Sequence, residues 1–188
     1  MGYIGGVGMI VVQAVFGLLL FVTVLRVLLP LAGARFRNPI CQLIYKVTNP
    51  VLVPLTRAVP NVRGVSIAGI LLAFLVALLY VGLVLLLSGR GAGPGIIALV
   101  SVAMLVQFVL SLYFWSIIIR ALMSFFSPDM GNPAVEVLHD LTDPILKPFQ
   151  KLPPRGAGID LSPLYACVAI RIVQYTLSYL GLPAFPLL

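Results

Sequence analysis

Charge is what this 188-residue chain has least of. Only 9% of its residues are Asp, Glu, Lys or Arg, against 61% hydrophobic. Soluble domains carry about a quarter charged residues, so too few charges remain to cover a water-facing surface. With a mean hydropathy of +1.15, this excludes an ordinary soluble domain and predicts a polytopic membrane protein. Cysteine is nearly absent as well. Cys41 falls in a polar connection and Cys167 inside an apolar run. A disulfide between those depths is not expected, and two thiols are too few for a thiolate metal site. Both read as small hydrophobes. The sequence also lacks a nucleophile motif, a phosphate-binding glycine loop and zinc spacing, so neither an enzyme nor a cofactor or metal is expected. The N-terminal stretch MGYIGGVGMIVVQ has no basic region and no small-residue cleavage site, so no removable signal peptide is expected. Gly6 stands where a myristoylation signal needs Ser or Thr.

What the chain does have is four apolar runs, about 7–31, 65–88, 96–123 and 161–182. Each suffices for about 20 residues of membrane crossing, and each must be helical because lipid offers the backbone no partners. The expected fold class is therefore an all-α membrane protein with four transmembrane helices. The second and third runs are joined by GRGAGPG, with Arg90. The other two connections are long and carry Arg35, Arg37, Lys46, Arg57 and Arg63, then Lys147, Lys151 and Arg155. The positive-inside rule places both long connections in the cytoplasm and both termini outside. The net charge of +7 thus reads as topology, with anionic lipid headgroups as partners and no direct nucleic-acid contact.

The sequence repeats at an offset of 94 without a gap, which divides it into 1–94 and 95–188. Gln13 maps to Gln107, Arg26 to Arg120, Asn38-Pro39 to Asn132-Pro133, and Thr48 to Thr142. Pro50, Pro54, Arg57 and Pro60 map to Pro144, Pro148, Lys151 and Pro154. Each half is span, connection, span, so the halves share an orientation and a pseudo-twofold along the membrane normal is expected.

Within each connection (38–60 and 132–155), Asn caps a helix and Pro opens it. Ile40, Leu43, Ile44 and Val47 form an apolar stripe opposite Gln42, Lys46 and Asn49. In the second copy Ala134, Val137, Leu138 and Leu141 oppose Glu136, Asp140 and Asp143. These are short amphipathic helices expected at the membrane interface. The spacing predicts that the first ends at Asn49, before Pro50, with Thr-x-Pro-x-Leu-x-Pro extended beyond it. Lys46, Arg35 and Arg37 are expected to face Glu136, Asp140 and Asp143 across the twofold. Ser162 and Pro163 read as cap and first turn of the fourth span, with Ser66 a weaker counterpart.

These residues resemble the YggT family, which includes YlmG-type relatives. The shared pattern is Arg26, Asn38-Pro39, Thr48, Pro50, Leu52, Pro54, Arg57 and Pro60. It recurs as Arg120, Asn132-Pro133, Thr142, Pro144, Leu146, Pro148, Lys151, Pro154, Gly158, Asp160 and Ser162-Pro163. Lys151 departs from the Arg of the pattern, and Ser66 with Ala68-Gly69 replaces Asp and Ser-Pro in the first copy. The resemblance implies membrane factors associated with cell-division gene neighbourhoods, osmotic stress tolerance and, in chloroplasts, cytochrome maturation and nucleoid distribution.

Arg26 and Arg120 close their spans, where they can snorkel or tie span to connection through free carbonyls. Arg171 falls near the middle of the fourth run, where its offset partner is Ala77. A charge there costs about 3 kcal/mol unless buried or hydrated. Gln174, Gln13 and Gln107 offer amides, so Arg171 reads as a structural polar contact, with an ion path as the alternative. Glu136, His139, Asp140 and Asp143 read as a solvated helix face. The expected function is a non-enzymatic membrane scaffold or assembly factor with protein partners and room for homo-oligomers. The alternative is an ion- or solute-permeating protein acting in osmotic stress.

Overall fold

In a computed structural model the described residues are 3–59, 65–89, 91–125, 131–151 and 160–181. Pro60, Pro154 and Gly158 of the repeated motif lie outside them, as do Arg63, Arg90 and Arg155. Among the described residues six helices follow one another: α1 (Tyr3–Leu31), α2 (Pro39–Ala58), α3 (Ile67–Leu87), α4 (Pro94–Ser124), α5 (Pro133–Phe149) and α6 (Ser162–Tyr179). Pro39 and Pro133, which open α2 and α5, stand 94 residues apart, so the same three-helix order occurs twice.

Among the described residues three helices are long and apolar enough to cross a membrane: Gly6–Leu31 of α1, α3 and α4. At 1.5 Å per residue, the 31 residues of α4 reach about 46 Å. That exceeds the roughly 30 Å hydrocarbon core, so α4 is long enough to cross it with Arg120 left at the end outside. Most apolar side chains on these helices face outward rather than inward. The fourth apolar run forms α6, which has 18 residues and is made less apolar by Arg171 and Gln174. A Schellman closure ends α1. Gly33 adopts φ 81°, and the Gly33 and Ala34 amides return to the Pro30 and Leu29 carbonyls.

The proline segments depart from expectation. α2 does not stop at Asn49; it runs through Pro50 and Pro54 to Ala58, and α5 runs through Pro144 and Pro148. Each proline removes one backbone donor and crowds the carbonyl four residues back. In both helices the prolines lie on the exposed face, so the carbonyls released at Lys46, Pro50, Asp140 and Pro144 share that face. Two steps round the helix, the motif's other residues point inward. Thr48 and Thr142 are buried, as are Leu52 and Leu146. Both threonine hydroxyls donate to the carbonyl four residues back, Ile44 and Leu138, at 2.7 Å. Thr-x-Pro-x-Leu-x-Pro is therefore a helical pattern with an inward Thr/Leu stripe and an outward proline stripe.

The long helices pack in the order α1–α3–α4–α6. One core joins α1 through α5, and a smaller one joins α4, α5 and α6 around Ile117, Leu146, Ala166 and Ile170. A closed twofold would pack α6 on α1 as α3 packs on α4. Among the described residues no comparable packing joins α6 to α1, so the bundle is open on that side.

Candidate functional site

The repeated asparagines do as the sequence predicts. Asn38 Oδ1 accepts from the Ile40 amide, and Asn132 Oδ1 from the Ala134 amide, both at 2.9 Å. Their surroundings then differ. Asn132 is exposed, whereas Asn38 is 3% exposed. The Asn38 side-chain amide donates to the Pro133 carbonyl at 2.8 Å and to Glu136 Oε2 at 3.0 Å. Arg35 meets the other oxygen of Glu136 at 3.4 Å. The start of α2 is thereby tied to the start of α5, and the Asn38–Glu136 bond, between residues 98 apart, is the part of this junction that the sequence did not suggest. The expected charge pairing between connections is realised at Arg35–Glu136. Asp143 instead turns to its own half, and among the described residues Lys46 and Arg37 make no ion pair.

Beneath this junction lies an apolar cavity of about 790 Å³. Its walls are α1 and α4 and its roof is α2 and α5. Sixteen of its eighteen lining residues form eight pairs at the 94-residue offset. From the walls come Leu18 and Leu112, Phe21 and Trp115, and Leu25 and Ile119. From the roof come Leu43 and Val137, Ile44 and Leu138, and Val47 and Leu141. The apolar stripes read from the sequence are this roof. Cys41 is buried beside it, and burial pushes its thiol above the usual range, helped by the carboxylates of Asp140 and Glu136.

Arg26 and Arg120 each reach from a wall to the following roof helix, by different means. Arg120 Nη1 donates to Thr142 Oγ1 at 2.7 Å and to Asp143 Oδ1 at 2.5 Å. Arg26 has Thr48 and Asn49 at the corresponding positions, and instead its guanidinium lies over the Tyr45 ring, 3.5 Å from the centroid. Its Nε is buried and finds no hydrogen-bond partner among the described residues. Neither arginine donates to the freed carbonyls that the sequence suggested. Tyr45 is raised by burial, partly offset by Arg26. His139, its counterpart, is lowered, first by burial and then by Arg120, with Asp143 and Asp140 opposing.

A family model described as CCB3/YggT matches twice, over residues 7–87 and 99–181. The chain belongs to the CCB3/YggT family. An uncharacterized protein of Pseudomonas aeruginosa, PA0392, is 34% identical over 87% of this chain and 84% of its own length. An uncharacterized protein in the proC 3′ region of Vibrio alginolyticus is 30% identical over 89% of this chain and 91% of its own. The uncharacterized protein YggT of Escherichia coli K12 is 30% identical over 86% and 84%. No solved structure matches.

Other residues of the YggT pattern fall into plain structural places. Arg57 lies in the last turn of α2 and is exposed, as is Lys151 just beyond α5. At the start of α6 the cap differs from expectation. Asp160 Oδ1 accepts from the Ser162 amide at 2.9 Å. Ser162 is already the first helical residue, its Oγ buried without a partner among the described residues, and Pro163 follows. Ser66, the expected weaker start, caps α3 by accepting from the Gly69 amide at 3.2 Å.

The polar residues of the apolar runs divide. Gln107 and Gln174 are buried together. Gln174 Nε2 donates to Ser111 Oγ at 2.8 Å, and Gln107 Nε2 to the Gln174 carbonyl at 3.3 Å. Arg171 donates to Gln174 Oε1 at 3.4 Å and lies over the Phe114 ring at 4.0 Å. Gln13 is apart from them, bonded to the Tyr80 side chain, whose ring packs on Phe16.

Proposed function

We propose that this chain is a non-enzymatic membrane scaffold that crosses the bilayer four times, in two units covering 1–94 and 95–188. Helices α2 and α5 lie at the cytoplasmic face of the inner membrane and form one binding surface for lipid and for membrane or cytoplasmic proteins. The observation that carries this reading is the paired lining of the cavity. Two copies of a connection place matching apolar stripes over one 790 Å³ space, within the size range of ligand sites. Its walls and roof are almost entirely carbon, so in a bilayer the occupant it suits is acyl chain. Arg35, Arg37 and Lys46 are exposed on the α1–α2 side, where anionic headgroups are favoured. Family membership supports placing such a scaffold in cell division or in building membrane complexes. Permeation in osmotic stress has less support, because Gln174 spends its side-chain amide on Ser111 and Gln107 spends its own on the Gln174 carbonyl.

Trp115 is the chain's single tryptophan and lines the cavity, which gives a direct test. In vesicles, anionic lipids brominated on the acyl chain should quench Trp115 at lower mole fraction than a Trp115→Phe/Leu79→Trp variant, whose reporter faces outward. Identical quenching curves for the two positions would remove the cavity as a lipid site.

A further inference from the structure

The open side of the helix order has a counterpart within the chain. On α4, Ser101, Leu105, Phe108 and Leu112 share one helix face, α4 packs on α3, and Leu105 lines a small cavity together with Ala73 of α3. Ser101 is 0% exposed, Phe108 5% and Leu112 7%. The same stripe on α1 is Val7, Val11, Ala14 and Leu18; Leu18 lines the roofed cavity, and the rest is bare, with Val7 43% and Val11 55% exposed. On α3, Ala77 and Val81 continue the helix face of Ala73, which lines the small cavity, and are 0% and 6% exposed. Its equivalent on α6 carries Arg171, which is exposed, and Tyr175, 75% exposed. The two unpartnered faces are the repeat equivalents of the two faces that pack together inside the chain.

We propose that α6 of one chain docks on α1 of a second copy, repeating between chains the α3–α4 contact made within one. The contact is head-to-tail, so it propagates from copy to copy until a ring closes. The bulk of the two faces shifts in a compensating way. Arg171 and Tyr175 stand where α3 has Ala77 and Val81, while Val11 and Ala14 stand where α4 has Leu105 and Phe108. Volume added on one side is removed from the other, as close packing requires. The groove that receives α1 is already formed between Phe114 of α4 and Cys167, Arg171 and Tyr175 of α6, with a volume of about 450 Å³. Docking also covers Arg171. Facing hydrocarbon, its guanidinium costs free energy that Phe114 and Gln174 offset only in part. Under a second chain it is sealed against those two groups. The proposal rests on α6 spanning the membrane.

The internal contact fixes the register. Ala73 shares a small cavity with Leu105 and Val109, so Cys167 of one chain should lie near Val11 and Val15 of the next. Two tagged chains are co-expressed in native membranes. One carries Cys41→Ser and keeps Cys167; the other carries Cys41→Ser, Cys167→Ser and Val11→Cys or Val15→Cys. Mild oxidation should convert the bulk of Cys167 into a mixed disulfide, and the product should be lost when the new cysteine is at Leu79 instead. Absence of the mixed disulfide overturns the proposal. So does a disulfide that forms only within one chain carrying both thiols, which would mean that α6 closes on its own α1. Independently of any substitution, native mass spectrometry of the wild-type protein from nanodiscs should show oligomers, and monomer alone also overturns it. Thiol-accessibility mapping that put α6 outside the membrane would instead bring down the four-span reading itself.

Discussion

The two repeat-equivalent arginines should not be equivalent in energy. Arg120 holds Thr142 and Asp143, and its side chain is 18% exposed against 43% for Asp143. A hydrogen bond to a charged group contributes about 1.5–3 kcal/mol when well buried. The exposure of Asp143 moves that toward ~1 kcal/mol through solvent screening. The bond to Thr142 adds about 1 kcal/mol, and Thr142 is not orphaned by its loss, because its hydroxyl hydrogen goes to the Leu138 carbonyl. Arg120→Met should therefore cost about 2 kcal/mol, or a fall in melting temperature of roughly 4–8 °C for a chain of this size. Arg26 has a cation–π contact, about 0.5–1 kcal/mol, and a buried unpartnered Nε that methionine removes. Arg26→Met should then be nearly neutral. Thermal unfolding in detergent, followed by Trp115 fluorescence, compares the two directly. A cycle with Asp143→Asn should show coupling at Arg120 and none at Arg26. Equal destabilisation by the two substitutions, or no coupling in the cycle, would refute the assignment of different ties.

A second asymmetry concerns the caps: Asn132→Ala should cost about 1 kcal/mol as a lost N-cap, while Asn38→Ala should cost about 2–3 kcal/mol, because it also abandons the Pro133 carbonyl and Glu136. The same melting assay separates them. A Cβ on Gly69 would meet Val27 Cγ2 at 2.8 Å, so Gly69→Val should destabilise by about 1–3 kcal/mol through overpacking, and Val27→Ala should rescue much of it. His139 is lowered by burial and by Arg120, so the folded chain binds its proton less readily than the unfolded chain. Its contribution is therefore present above the ordinary histidine value and lost as pH falls below that value through the lowered folded one. His139→Gln should flatten the stability–pH profile on the acid side of the ordinary histidine value, and an unchanged slope would count against that burial.

Much of the architecture was legible because it depends on local chemistry. Apolar length located the long helices to within a few residues, and Asn-Pro located the starts of α2 and α5, since cap and first-turn proline act within one turn. The proline segments were misread because a proline rule prices the lost bond without asking where the freed carbonyl points. The inward Thr48/Leu52 and Thr142/Leu146 stripes, set two residues off the prolines, were the available signal that the segment is helical. Ser66 caps α3 as expected, but the cap expected of Ser162 is not made, because Asp160 two residues ahead takes the Ser162 amide and leaves Ser162 as the first helical residue. The difference between Arg26 and Arg120 turns on Asn49 standing opposite Asp143 and Tyr45 opposite His139, a contrast visible in the sequence but meaningless until the roof helices lie beside the walls. The Asn38–Glu136 junction and the shared cavity join the two halves, and no local pattern reports a contact across 98 residues.

The central claim is that α2 and α5 roof the membrane cavity from the cytoplasmic side. Its most direct test is labelling of single cysteines along both helices with a membrane-impermeant thiol reagent, in a Cys41→Ser/Cys167→Ser background. Cysteines at Gln42, Lys46, Glu136 and Asp140 should label from the cytoplasmic side alone, while those at Ile44, Val47, Leu138 and Leu141 should be protected by lipid and roof. Labelling of the first set from outside, or equal labelling of both sets, would contradict it.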